Sequence, residues 1–105
     1  MEQPTLDYIK EISGGNTDFE QKFVTILQDE FPKEKEAYID FLSKENLEEA
    51  SKVVHKLKHK FGILSMTDSY RLAVSYEEEL KEGQREQEEE FTAILEMVHE
   101  FIKEL

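Results

Sequence analysis

The segment from residue 47 to residue 64 spaces its apolar residues alternately three and four positions apart. That spacing follows one face of an α-helix with 3.6 residues per turn, whereas a half-buried strand needs a period of two. The rest of the chain is rich in helix formers and shows no alternating β-branched pattern. The sequence therefore predicts an all-α fold. The apolar stripe consists of Leu47, Ala50, Val54, Leu57, Phe61 and Leu64.

The first part of the chain predicts two helices ahead of this stripe. A short first helix ends at the glycine pair that begins at Gly14, since glycine favours helix ends. A second helix begins at Thr17, because Thr17 and Glu20 have the spacing of a capping box. We expect it to bury Phe19 and Ile26 and to continue, kinked, through Pro32.

The later part predicts three helices joined by short connections. Asn46 caps the third helix, the fourth ends at Gly83, and the fifth buries apolar residues as far as Leu105. Short connections make successive helices antiparallel neighbours. We therefore expect residues 1–105 to form one domain, an antiparallel up-down four-helix bundle with a short additional N-terminal helix.

Length and apolar content exclude several classes of protein. A chain of 105 residues holds one core but no separate nucleotide-binding unit, so we expect no autonomous kinase activity. It lacks an apolar run of roughly 20 residues and a basic leader, so we expect no membrane partner. The absence of cysteine fits a reducing compartment, and we expect a cytoplasmic protein.

The charge is strongly negative overall and positive in one segment. The formal net charge is -12, and such a surface repels nucleic-acid phosphates, so we expect no nucleic-acid partner. Residues 51–60 carry four lysines and two histidines without any acidic residue. We refer to them as the basic segment. Its cations are Lys52, His55, Lys56, Lys58, His59 and Lys60.

Residues 54–64 resemble the signature of histidine-containing phosphotransfer (HPt) domains. The match covers His55, Leu57, Lys58, Gly62 and Leu64 by type and spacing. The resemblance implies a helical carrier that accepts a phosphoryl group on the histidine from a receiver-domain aspartate and passes it to another receiver. It also implies that the receiver supplies Mg²⁺, so that the chain needs no cofactor of its own. We expect a monomer.

The helical geometry of these residues agrees with the resemblance. Val54 belongs to the apolar stripe, and His55 is rotated from it by about 100 degrees, so its ring lies at the flank of the buried face. A solvent-facing imidazole offers a nucleophilic nitrogen to phosphorus. Lys58 lies one helical turn further on, about 5–6 Å away, where its ammonium is expected to stabilise the phosphoryl oxygens.

The predicted hairpin of helices three and four suggests a hydrogen-bond partner for the second ring nitrogen of His55. If the chain turns near Met66, residues equally far from the turn lie level with each other. His55 precedes Met66 by eleven residues and Glu77 follows it by eleven. We therefore expect Glu77 to accept a hydrogen bond from His55 and to fix its tautomer. The resemblance implies an acid or amide at this position.

The remaining residues of interest are expected to form a docking surface around His55. The set comprises Lys52, Lys56, His59, Lys60 and Gly62. Gly62 is unfavourable inside a helix, which suggests the close approach of a neighbouring helix. His59 stands where the HPt signature has glycine, and we expect its ring to point aside.

Other interpretations of the same residues remain open. His55 and His59 lie four residues apart and could bind zinc, but Lys56 replaces the glutamate of an H-E-x-x-H site. We therefore expect no metal site, and we expect His99 to be a surface residue. We disfavour the dimerisation-and-phosphoacceptor domain of sensor kinases. The histidine of such domains is followed by an acid, whereas Lys56 follows His55 in this chain. A helical interaction module without phosphotransfer remains an alternative.

Overall fold

The computed structural model describes residues 2–105, and within that range it contains five helices and no strand. The prediction of an all-α fold that begins with a short helix is confirmed. None of the helices in the described range is long and apolar enough to cross a bilayer. In chain order they are α1 (Asp7–Ser13), α2 (Thr17–Ser43), α3 (Leu47–Ile63), α4 (Thr67–Lys81) and α5 (Glu88–Lys103).

The helices share one apolar core, and α3 lies at its centre, packed between α2 and α4. Its stripe is buried as predicted from Ala50 to Leu64, and only Leu47 is partly exposed. Helix α5 closes the core against α2 and α4. The largest fully buried side chains from the other helices are Ile9, Leu27, Phe31, Tyr38, Tyr76, Leu80, Phe91 and Leu95.

Helix α2 runs without interruption through Pro32. Its N-cap is Asn16, whose side chain accepts the backbone N–H of Phe19 at 3.0 Å, so the capping box predicted for Thr17 is wrong by one residue. The predicted burial of Phe19 and Ile26 is also wrong, because both are exposed. Ile26 lies about 100 degrees around the helix from the buried Leu27, on the side that faces solvent.

Along α2, each later residue contacts an earlier residue of α5. The same is true of α3 and α4, where an early residue of α3 meets a late residue of α4. The pairs are Gln28 with Ile102, Lys35 with Glu96 and Tyr38 with Phe91, and then His55 with Glu77 and His59 with Tyr70.

The far end of α5 differs from the prediction. The helix ends at Lys103, and Leu105 lies beyond it with an exposed side chain, so its predicted burial is wrong. His99 is not a plain surface residue, because its ring packs against Phe31 with the centroids 6.4 Å apart. Its Nδ1 is buried without a hydrogen-bond partner in the structure. His99 lines the groove between α2 and α5, together with Gln28 and Pro32 of α2.

Helices α2, α3 and α4 all end in the same hydrogen-bonded turn, with one residue in the left-handed region. Glycine suits this place because it lacks Cβ, and Gly83 occupies it after α4 with φ of 79°. After α2 and α3 the same place is held by Glu45, with φ of 56°, and Ser65, with φ of 65°. These two residues are strained relative to glycine.

Glu45→Gly is therefore expected to stabilise the protein by about 1 kcal/mol, since it relieves the left-handed strain. Urea unfolding followed by circular dichroism measures this change. The matched control is Lys44→Gly, because Lys44 has φ of -92° and gains nothing from glycine. An unchanged or lower unfolding midpoint for Glu45→Gly would show that the turn carries no strain.

Candidate functional site

His55 and Glu77 meet across the α3–α4 pair. The Nδ1 atom of His55 lies 3.0 Å from Oε2 and 3.2 Å from Oε1 of Glu77, so the contact predicted from the hairpin is present. The His55 side chain is 51% exposed, whereas that of Glu77 is 8% exposed. Because a carboxylate can only accept, Nδ1 carries the proton and Nε2 is left as the free ring nitrogen.

Lys58 also binds Glu77, with 2.9 Å between its Nζ and Oε1. Its side chain is only 12% exposed and its ammonium is already paired within the protein, so the predicted contact with phosphoryl oxygens stays a prediction. Lys81, which sequence reasoning missed, lies 3.5 Å from Oε2 of the same carboxylate. Its spacing of four residues after Glu77 on one helix face was the available signal. Glu77 is thus held between two cations and an imidazole.

The neighbouring Lys58 and His55 lower the pKa of Glu77. Burial by itself raises the pKa of the carboxyl, but the hydrogen bonds and charges of Lys58 and His55 outweigh it. The pKa therefore lies below its ordinary value of 4.5. The carboxylate stays ionised at neutral pH and remains an acceptor for the Nδ1 proton of His55.

Glu77→Gln is expected to flatten the loss of stability in acid. Because the folded pKa of Glu77 is lowered, its stabilising contribution is present above pH 4.5 and is lost as the pH falls through the folded pKa. Urea midpoints measured from neutral pH to about pH 2 should converge for wild type and Glu77→Gln. Glu78→Gln, at an exposed neighbour, serves as the control and should follow wild type. Parallel curves for wild type and Glu77→Gln would contradict the lowered pKa.

Only some of the residues predicted to form the docking surface lie exposed beside His55. Lys52 and Lys56 are exposed beside His55, and Lys52 pairs with Glu49 at 3.0 Å. Lys60 does not belong to this surface, which corrects the prediction. Its side chain is 10% exposed and its Nζ lies 2.8 Å from Glu30, on α2. The physical reason is that Lys60 lies one turn after Leu57, on the side of α3 that faces α2.

Gly62 lies on the exposed side of α3, as a docking surface requires. The predicted close approach of a neighbouring helix is wrong. A Cβ at this position would have the Tyr70 ring as its nearest neighbour, at 3.7 Å, which is an ordinary van der Waals contact. Alanine therefore fits at Gly62, and packing does not explain the glycine.

His59 is exposed, but its ring does not point aside, which corrects the prediction. The ring lies edge-to-face on His55, with the centroids 5.1 Å apart and the planes at 82°. It also meets the ring of Tyr70, at 6.4 Å. Sequence reasoning missed Tyr70, although it lies seven residues before Glu77, two turns away on the same side of α4.

An imidazole held in this way can act as a nucleophile through its free ring nitrogen. Across residues 2–105 no group of three or more histidine, cysteine or acidic side chains converges on a common point. No protein-family model matches the sequence, and no curated protein or solved structure matches the chain. The geometry of His55 and its partners, together with the pattern of residues 54–64, is therefore the basis for a functional proposal.

Proposed function

We propose that the protein is a phosphorelay carrier that accepts a phosphoryl group on Nε2 of His55 and passes it on. One observation carries the proposal: a half-exposed imidazole has its Nδ1 held by a buried carboxylate, which leaves Nε2 as the free ring nitrogen. The same arrangement orients histidine bases and ligands in many enzymes. The resemblance of residues 54–64 to the HPt signature supports it independently.

In the proposed reaction the donor is an aspartyl phosphate of a receiver domain that holds its own Mg²⁺. The Nε2 lone pair of His55 attacks phosphorus in line, the N–P bond forms, and the P–O bond to the aspartate breaks. The aspartate leaves as a carboxylate, so no proton has to be supplied. The Nδ1 proton stays on the ring, and the positive charge that develops there is stabilised by Glu77.

Lys58 contributes through Glu77 in this scheme. Its ammonium neutralises part of the carboxylate charge and holds it in place, since Nζ lies 2.9 Å from Oε1. The exposed Lys52 and Lys56 supply positive charge near His55 in a chain whose net charge is -12. An acidic receiver surface is attracted to this segment, and rising salt should slow the transfer by screening it.

The proposal includes the arrangement of the helices. We infer that α2, α3, α4 and α5 form an antiparallel up-down bundle, with α1 as the additional N-terminal helix. The opposite sequence order of contacts between α2 and α5, and between α3 and α4, supports this topology. We infer that such a bundle carries one phosphate-accepting imidazole and has no kinase activity of its own.

The test is incubation of the protein with several phosphorylated receiver domains and Mg²⁺, because cognate pairs are specific. Wild type should gain an acid-labile, base-stable phosphate. His55→Gln should gain none, and His99→Gln, at a histidine remote from the site, should be labelled like wild type. Label that persists on His55→Gln would overturn the assignment. Binding of receivers without any label would favour an interaction module.

A further inference from the structure

Three aromatic rings form a continuous chain from the nucleophile to the neighbouring helix. His55 and His59 lie one turn apart on α3 with their centroids 5.1 Å apart, and His59 in turn meets Tyr70 of α4 at 6.4 Å. Both contacts are edge-to-face, which is a favoured arrangement of aromatic rings at these separations. His59 is therefore held from both sides although it is exposed.

The hydrogen bond to Glu77 alone does not fix the plane of the His55 ring. Both carboxylate oxygens lie within reach of Nδ1, at 3.0 and 3.2 Å, so more than one orientation of the ring keeps this hydrogen bond. About half of the His55 side chain is exposed, so solvent offers little resistance to that motion. The contact with His59 provides a second restraint, away from Nδ1.

We propose that His59, supported by Tyr70, is a positioning residue that holds the His55 ring in one orientation. The held ring keeps Nδ1 on Glu77 and Nε2 toward an incoming phosphoryl donor. Productive attack needs the nucleophile aligned with the bond that breaks, so loss of the restraint reduces the fraction of aligned rings. Only the effect on transfer rests on the proposed function, because the orientation of the ring is a property of the free protein.

The first experiment measures ring order in the complete chain without phosphate. Nitrogen-15 spectra of the histidine rings report the tautomer of His55, and relaxation reports its mobility. His59→Ala should increase the mobility of the His55 ring and lower the share of its Nδ1–H tautomer. His59→Phe keeps an aromatic edge, so both quantities should stay close to their wild-type values. Tyr70→Ala should give a weaker effect in the same direction. Tyr8→Ala, which removes an exposed ring on α1, is the control.

The second experiment compares the rates at which these variants are phosphorylated, by a receiver and by the small donor phosphoramidate. His59→Ala should be slowed about three- to tenfold with both donors, the range that one aromatic pair supports, and His59→Phe should recover most of the rate. A slower rate with the receiver alone would instead mean that His59 contacts the partner, which overturns the positioning role.

The two experiments separate this inference from the proposed function. Ring order that is unchanged in His59→Ala overturns the inference, whatever happens to phosphate transfer. A wild-type protein that no donor labels overturns the proposed function, while the spectra still decide whether His59 restrains His55. Circular dichroism and urea unfolding confirm that each variant is folded, and His59 is exposed, so its replacement should leave the core intact.

Discussion

Glu77→Ala is expected to slow phosphorylation of His55 by about 10- to 100-fold, the loss commonly seen when the carboxylate behind a metal-bound histidine is removed. Without the carboxylate, the Nδ1 proton loses its acceptor at 3.0 Å, and both ring nitrogens can carry the proton. The positive charge that develops on the ring during transfer also loses its nearest negative partner. Single-turnover transfer from a phosphorylated receiver measures the rate.

Two neighbouring substitutions make this result specific. Glu77→Gln keeps an acceptor oxygen for Nδ1 but removes the charge, so its rate should lie between those of wild type and Glu77→Ala. Glu78→Ala removes an exposed carboxylate one residue away and should leave the rate unchanged. If Glu77→Ala and Glu78→Ala transfer equally fast, Glu77 does not orient the nucleophile.

Lys60→Ala is expected to destabilise the protein by about 2 kcal/mol, because it removes the cation from a mostly buried ion pair with Glu34. The ammonium of Lys60 lies 2.8 Å from Glu30 and 3.4 Å from Glu34. Burial raises the pKa of Glu34, against the charge and hydrogen bond of Lys60, and its Oε1 has no hydrogen-bond partner. Urea unfolding at neutral pH measures the loss.

A control and a double variant show that the buried charge is the cause. Lys56→Ala, on the exposed side of α3, should change stability by less than about 0.5 kcal/mol. Lys60→Met combined with Glu34→Leu replaces the pair by apolar side chains and should recover most of the lost stability. An effect of Lys60→Ala no larger than that of Lys56→Ala would contradict a buried ion pair.

The elements that sequence reasoning placed correctly depend on local patterns. The apolar stripe of α3 gave its buried face, and Asn46 was identified as its cap, which accepts the N–H of Glu49 at 3.3 Å. The pairing of His55 with Glu77 was predictable because a short turn near Met66 fixes the register of two adjacent helices. When two adjacent helices are joined by a short turn, counting residues from the turn is enough to predict which residues lie level with each other.

The elements that were missed depend on contacts between distant residues. Lys58 and Lys60 look alike in sequence, but the rotation of α3 against its neighbours turns Lys58 toward Glu77 of α4 and Lys60 toward Glu30 of α2. The contact of His59 with Tyr70 likewise requires the packing of two helices. Periodicity identifies the buried face of a helix. It does not identify the polar residues of neighbouring helices that lie at the edges of that face.

The attachment point of the phosphoryl group tests the central claim most directly. Nitrogen–phosphorus couplings in the phosphorylated, nitrogen-15-labelled protein show which ring atom of which histidine carries phosphorus. Because Glu77 holds Nδ1 of His55, the account predicts a single phosphohistidine, bonded through Nε2 of His55. Phosphorus on Nδ1 of His55, or on His59 or His99, would contradict it.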